Sequence, residues 1–393
     1  MKLFQRLLVA PAALGLFSPL AANATEVNLN DIANYSDVES IDFANSFDSD
    51  QPTKSSLLAG GEGLVDSYDG GFSETTTASF STDFAIGYLD GKGISTQAGT
   101  DGDEDVQAVY SFQIDLNTSF TGEDSLDISI DAGNGPTNNA GNSTSPLAEF
   151  DLNNTGDALS VDGVSYTFPI GSVTAMVGDN TDGSALFTTA CVYGGPSNTL
   201  DDCGNVNAGI TNGGAMAGAS YDFGNGFTAA IGYAGAETGI MTLETTDAIG
   251  ANVAYSADNY GVSVTYGSIE AGDNGVNQNV YTALNGYYSF DSGLNVSAGY
   301  EYGDIGGNAA NADESINYFV GVNGEVGAGE LGAALGTAGG QLENQTEELM
   351  YEAYYSYPVN DGMTVTPLIY IKEKATAGTP DETGVMVKTS FSF

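Results

Sequence analysis

The stretch Gly384–Phe393 reads GVMVKTSFSF and ends the chain. In an extended strand successive side chains alternate between faces, so Val385, Val387, Thr389, Phe391 and Phe393 share one side. Met386, Lys388, Ser390 and Ser392 share the other. One face is apolar and closes on an aromatic ring; the other is polar. Alternation alone fits any strand with one wet face, so the rest of the chain has to say which face meets what.

The opposite end narrows the choice. Residues 1–24 have a basic start (Lys2, Arg6), an apolar stretch from Leu7 to Leu20 and a small-residue exit at Ala22-Asn23-Ala24. That arrangement predicts a secretory signal cut after Ala24. The apolar stretch is interrupted by Pro11 and Pro19, and no later segment approaches the roughly 18 to 20 apolar residues of a spanning helix. If this chain resides in a membrane, a closed barrel is the architecture open to it.

Composition removes other classes. The chain has 52 acidic residues against 7 basic ones, and Lys2 and Arg6 belong to the signal, leaving 5 − 52 = −47. Nucleic acid is a poor partner for that charge. Such a balance would suit a disordered chain, but 22 Tyr, 18 Phe and abundant β-branched residues in period two predict a folded all-β protein. The sequence has no His, which excludes a Ser-His-Asp triad and the usual zinc sites. No catalytic residue, cofactor or metal centre is predicted.

Turn signals recur at Gly224-Asn225-Gly226, Asp258-Asn259, Asp291-Ser292-Gly293, Gly327-Ala328-Gly329 and Asn360-Asp361-Gly362. Their spacing of about 33 to 36 residues describes a repeated unit of strand, tight turn, strand and longer loop. Alternation predicts strands near 74–88, 105–119, 124–131, 159–168, 171–178, 213–223, 227–236, 246–257, 260–270, 279–290, 294–303, 315–326, 329–337, 349–358, 363–373 and 383–393. The segment at Phe150–Leu152 fits either an extra short strand or a loop. About 16 antiparallel strands, an even number, put both barrel ends and every short turn on one side, as bacterial single-chain barrels require. Tyr and Phe cluster near strand ends, as an interfacial girdle would need.

Three stretches carry a family resemblance: FSETTTASFSTDF (Phe72–Phe84), ACVYGGPSNTLDDCGNVNAGI (Ala190–Ile210) with GASYDFGNGFTAAIGYAG (Gly218–Gly235), and the closing TVTPLIYI and GVMVKTSFSF. Over residues 72–393 the chain resembles the cyanobacterial outer-membrane porins, a branch of the carbohydrate-selective porin superfamily. The resemblance implies a homotrimeric channel in outer-membrane lipid, passing ions and small solutes, sugars included. It also implies that Phe393 is read by the outer-membrane assembly machinery. Members often carry a peptidoglycan-binding domain ahead of the barrel; here Thr25–Gly71 is too short for it. That acidic leader reads either as a flexible or barrel-plugging segment or as a small binding module.

Alternation places Asp83, Asp115, Asp127, Asp131, Asp222, Glu301 and Glu352 on lumen faces, opposed by Lys372, Lys374 and Lys388. Carboxylate rings favour cations in wide pores, and a mature chain without Arg has no anion clamp; ordinary wetted wall charges are the plainer reading. Cys191 and Cys203, the only cysteines, lie in the third long connection of a secreted chain and are predicted to form a disulfide within it. Two readings of that connection stand. It folds inward, bringing Phe187, Tyr193, Asp201 and Asp202 to a constriction, or it is a stapled surface loop. The acidic runs Asp101–Asp105 and Asp179–Gly183 are hard-oxygen candidates for Ca²⁺ but lack the closing Glu of an EF-hand. A secreted acidic surface, adhesive or calcium-binding β protein is the alternative to the porin.

Overall fold

Period-two alternation builds one continuous wall. The computed structural model describes residues 76–90, 106–136, 146–211, 214–242, 245–271, 277–309, 312–375 and 380–393. The expected cleavage at Ala24, the leader at 25–71 and the acidic run Asp101–Asp105 lie outside the described residues.

Among the described residues the strands, in chain order, are β1 (Thr76–Asp90), β2 (Gln107–Thr118), β3 (Ser125–Gly133), β4 (Ser160–Ile170), β5 (Val173–Asp179), β6 (Ala215–Asp222), β7 (Phe227–Gly235), β8 (Asp247–Ser256), β9 (Tyr260–Ala271), β10 (Asn277–Ser289), β11 (Leu294–Ala309), β12 (Ala312–Val326), β13 (Gly329–Thr337), β14 (Leu349–Asn360), β15 (Met363–Lys372) and β16 (Glu382–Ser392). Each pairs with its sequence neighbours, and β16 pairs with β1, closing an antiparallel barrel. At the seam Ser81 to Asp90 oppose Ser392 to Thr383. Beyond it Phe80 N donates to Phe393 O (2.9 Å), Phe393 N donates to Phe80 O (3.0 Å), and the two rings stack with centroids 5.6 Å apart. Closure leaves no unpaired edge, the condition under which a sheet tolerates lipid.

The tight turns fall where the Gly and Asn signals predict them. Gly224, Gly226 and Gly293 occupy positive-φ positions there, which residues with a Cβ rarely adopt. These turns, the start of β1 and the end of β16 share one end of the barrel, and the longer connections share the other. Sequence reading misses most at β11 and β12, which reach Ala309 and Ala312 rather than 303 and 315. Gly306, Gly307 and Asn308 carry no alternation, and the register of the hairpin shifts between Asp304 and Ala309. Phe150 is the end of a short 3₁₀ turn, Pro146–Phe150, within a long connection, and adds no strand.

The facing of the wall is inverted relative to a soluble protein. On β9, Val262, Val264 and Tyr266 are 48, 47 and 42% exposed, while Ser263 and Thr265 are 1% exposed each. Leu284, Tyr288, Leu294, Tyr300 and Tyr302 also face out, as alternation predicts, and Asn285, Ser297 and Glu301 face in. Aromatic pairs ring the short-turn end, with centroids 4.7 Å apart in Phe227–Tyr255 and Tyr288–Phe290. Such rings suit a membrane interface. No helix among the described residues is long and apolar enough to cross a membrane.

Deleting Phe393 removes a stacked ring and both terminal hydrogen bonds of the seam, about 2 kcal/mol. The expected outcome is a clear fall in folded barrel in outer membranes, measured by heat-modifiable gel mobility; wild-type levels would contradict a role for this residue in closure.

Candidate functional site

The connection from β5 to β6, described over residues 180–211, turns into the barrel and lies along its inner wall. Its route is fixed by inward side chains of successive strands. Thr188 N donates to Asn252 Oδ1 on β8 (3.0 Å), Ala190 N to Ser263 Oγ on β9 (2.8 Å) and Val192 N to Ser297 Oγ on β11 (3.1 Å). Tyr193 then donates its hydroxyl to Glu352 on β14 (2.6 Å). On the way back Asn285 Nδ2 of β10 donates to Cys203 O (2.8 Å). Glycines make room for this seat: a Cβ at Gly232 would fall on Gly183 O, and one at Gly299 on Cys203 O.

Cys191 and Cys203 are disulfide-bonded, tying the outgoing leg to the returning one. The bridge closes a tip, residues 192–202, that reaches the far wall. There it meets the second long connection, whose 3₁₀ turn also enters the barrel: Leu147 and Ala148 are fully buried and Phe150 nearly so. Asn198 N donates to Glu149 O (2.8 Å), and Lys372 Nζ on β15 contacts both Glu149 Oε1 (2.5 Å) and Thr199 Oγ1 (3.0 Å).

The candidate residues divide into two groups. Asp201 and Asp202 are exposed, and Asp202 lines a polar cavity of about 740 Å³ together with Glu149, Glu348, Lys372, Lys374 and Glu382. Asp83 opposes Ser111 on the inner wall. Asp115 accepts from Ser129 Oγ (2.7 Å) and Gln113 Nε2 (2.8 Å), and Asp127 accepts from Ser125 Oγ (2.7 Å). Asp131 faces in but is 7% exposed. Asp222 sits at a tight turn, accepting Gly224 N (2.7 Å).

Three candidates face inward yet do not reach open lumen. Tyr193 is 7% exposed, wedged between Phe319 and Tyr354. Glu352 is 5% exposed beneath it, and Glu301 is fully buried. Alternation reports the side of the wall and cannot report that a loop covers it. Glu301 accepts from Asn207 N, Ala208 N and Asn207 Nδ2 (2.7 Å each) and from Asn317 Nδ2 (3.0 Å). Four donors fill the acceptor capacity of a carboxylate, so this residue anchors the loop. Lys388 lies over the Phe150 ring, 5.4 Å from its centroid. Phe187 packs against Gly250. The residues missed by sequence reading are the seat itself, Asn252, Ser263, Asn285 and Ser297, and Glu149. Neutral polar groups in mid-strand were the available signal.

No family model matches the chain, and no curated protein matches it. Solved structures do. A mutant of the Rh. blastica porin is similar with a TM-score of 0.57 and 16% identity, over 81% of this chain and 100% of that one. A loop-deletion mutant of OmpT, an outer membrane protein of Vibrio cholerae, is similar with a TM-score of 0.55 and 12% identity, again over 81% and 100%. The fold is that of bacterial porins.

Asp201 and Asp202 meet water yet are hemmed in by protein. That enclosure is the largest cause that raises both carboxyls, to about 7 and about 6. Neighbouring carboxylates add to it: Asp202 and Asp151 act on Asp201, and Glu301 and Asp182 on Asp202. Both values exceed the ordinary carboxyl range near 4. The folded chain therefore binds more protons between those limits, and the loop tip loses stability as pH rises through that window.

Two outcomes follow from this geometry. Glu301→Gln should free the returning leg of the loop at a cost of about 2 to 4 kcal/mol, leaving the barrel folded but opening residues 199–211 to limited proteolysis. The charge of the Asp201–Asp202 pair should grow from pH 5 to pH 8; any current whose selectivity depends on it should change most between about pH 6 and 7, and Asp201→Asn with Asp202→Asn should abolish that change in a bilayer recording.

Proposed function

We propose that the chain is an outer-membrane porin giving passive, energy-independent passage to small hydrophilic solutes and ions. The observation that carries this reading is the inward connection of residues 180–211, seated on polar side chains inside a barrel whose outer face is apolar. A barrel polar within and greasy without holds water and excludes lipid. The loop narrows that water-filled path, and exposed Asp201 and Asp202 supply its charge. The bacterial porins of the same fold support the reading.

Finer features belong to the same proposal: a homotrimer in bacterial outer-membrane lipid, assembled by machinery that reads Phe393, and a preference for cations. The resemblance of Ala190–Ile210 and the closing strand to cyanobacterial porins keeps sugars among the solutes. Without Arg or Trp in the mature chain, carboxylates rather than a sugar-stacking platform dominate the path. The exposed apolar wall disfavours the secreted adhesive alternative, since a soluble protein rarely shows so much.

In planar bilayers the protein should form channels whose reversal potential favours cations at low salt, with the preference fading as ionic strength rises past about 0.1 M, where screening acts within about 10 Å. Anion preference at low salt, or submillimolar sugar block, would replace this account with a solute-specific channel.

A further inference from the structure

The mature chain has five lysines, and the three among the described residues, Lys372, Lys374 and Lys388, stand on or beside the last hairpin. A lumen carrying three ammonium groups should attract anions as well as cations. None of the three is left uncovered. Lys374 pairs with Glu382 (3.1 Å), and Lys388 lies over the Phe150 ring. Lys372 opposes Glu382 in strand register, yet its ammonium goes to Glu149 (2.5 Å), on a different part of the chain.

Glu149 is held for this contact. Fully buried Leu147 and nearly buried Phe150 seat its turn on the wall near β1 and β16, and a Cβ at Gly87 would strike Leu147. Its second oxygen accepts Thr199 N (3.3 Å) and its backbone carbonyl accepts Asn198 N (2.8 Å). Glu149 is 4% exposed. The Lys372 side chain is 16% exposed beside the polar cavity, and two opposite charges in direct contact cancel most of the field that either would send into it.

We infer that the turn Pro146–Phe150 is a charge mask: Glu149 covers Lys372 and Phe150 covers Lys388, leaving Asp201 and Asp202 to face the permeating ion, which makes Glu149 a specificity-determining residue for cations over anions. This rests on the porin reading. It differs from a mechanical role, in which the same pair merely ties the second long connection to the third. A mask acts through charge sign and a tie does not.

The test is reversal potential and single-channel conductance of the full chain in a KCl gradient, for the wild type, Glu149→Gln, Lys372→Met, the double variant and Glu149→Asp, each first checked for heat-modifiable mobility. Glu149→Gln uncovers an ammonium and should lower the cation-to-anion permeability ratio about threefold or more. Lys372→Met should leave the ratio unchanged or raise it, the double variant should return to wild-type preference, and Glu149→Asp, which keeps the charge, should stay near wild type. Equal shifts of the same sign in Glu149→Gln and Lys372→Met, or no shift in the first, would overturn the mask while leaving the porin reading intact. Should Glu149→Gln fail to fold, Lys372→Met and Glu149→Asp decide: a lowered ratio in either overturns the mask. A wild type that passes no current would overturn both.

Discussion

Every backbone amide at a sheet edge needs a partner, and the seam between β1 and β16 is where this chain supplies the last of them. Fifteen of the sixteen pairings could form and the sheet would still present two bare edges; the last one converts a curved sheet into a wall. The alternating faces, the aromatic ring at the short-turn end and the polar interior all belong to one closed surface, apolar outside and polar inside. Phe80 and Phe393 finish that seam at its exposed end.

Inside the wall a second demand arises. The loop at 180–211 carries its own amides into the interior, and they too need acceptors. Asn252, Ser263, Ser297 and Glu301 supply them. Carboxylates on the inner wall thus serve two ends: Glu301 and Glu352 are consumed in holding the loop, while Asp201 and Asp202 on the loop itself remain in contact with water.

Strand order, facing and closure were legible in the sequence because a two-residue period repeated across sixteen segments leaves few other solutions. The tight turns were legible at Gly224 and Gly293 for the same reason: positive φ writes itself into residue choice. The inward course of the loop was not. Residues 180–214 have no period, so alternation leaves the lumen and the outer surface equally open to them, and the residues that receive the loop, Gly232, Gly299, Ser263 and Ser297, are dispersed over three strands. Tyr193, expected at a constriction if the loop folds inward, instead turns from the lumen to the wall, between Phe319 and Tyr354. Glu149 was invisible, since its role comes from Lys372, 223 positions away.

The wall grips the loop mostly by its main chain. Asn252, Ser263, Ser297 and Glu301 read amide nitrogens at Thr188, Ala190, Val192, Asn207 and Ala208, whatever side chains those positions carry. Anchorage and lumen chemistry are thereby uncoupled in inheritance. Substitutions along the loop can change the surface it shows to the interior while its path stays put, so a lineage of such barrels can diversify in lining faster than in shape.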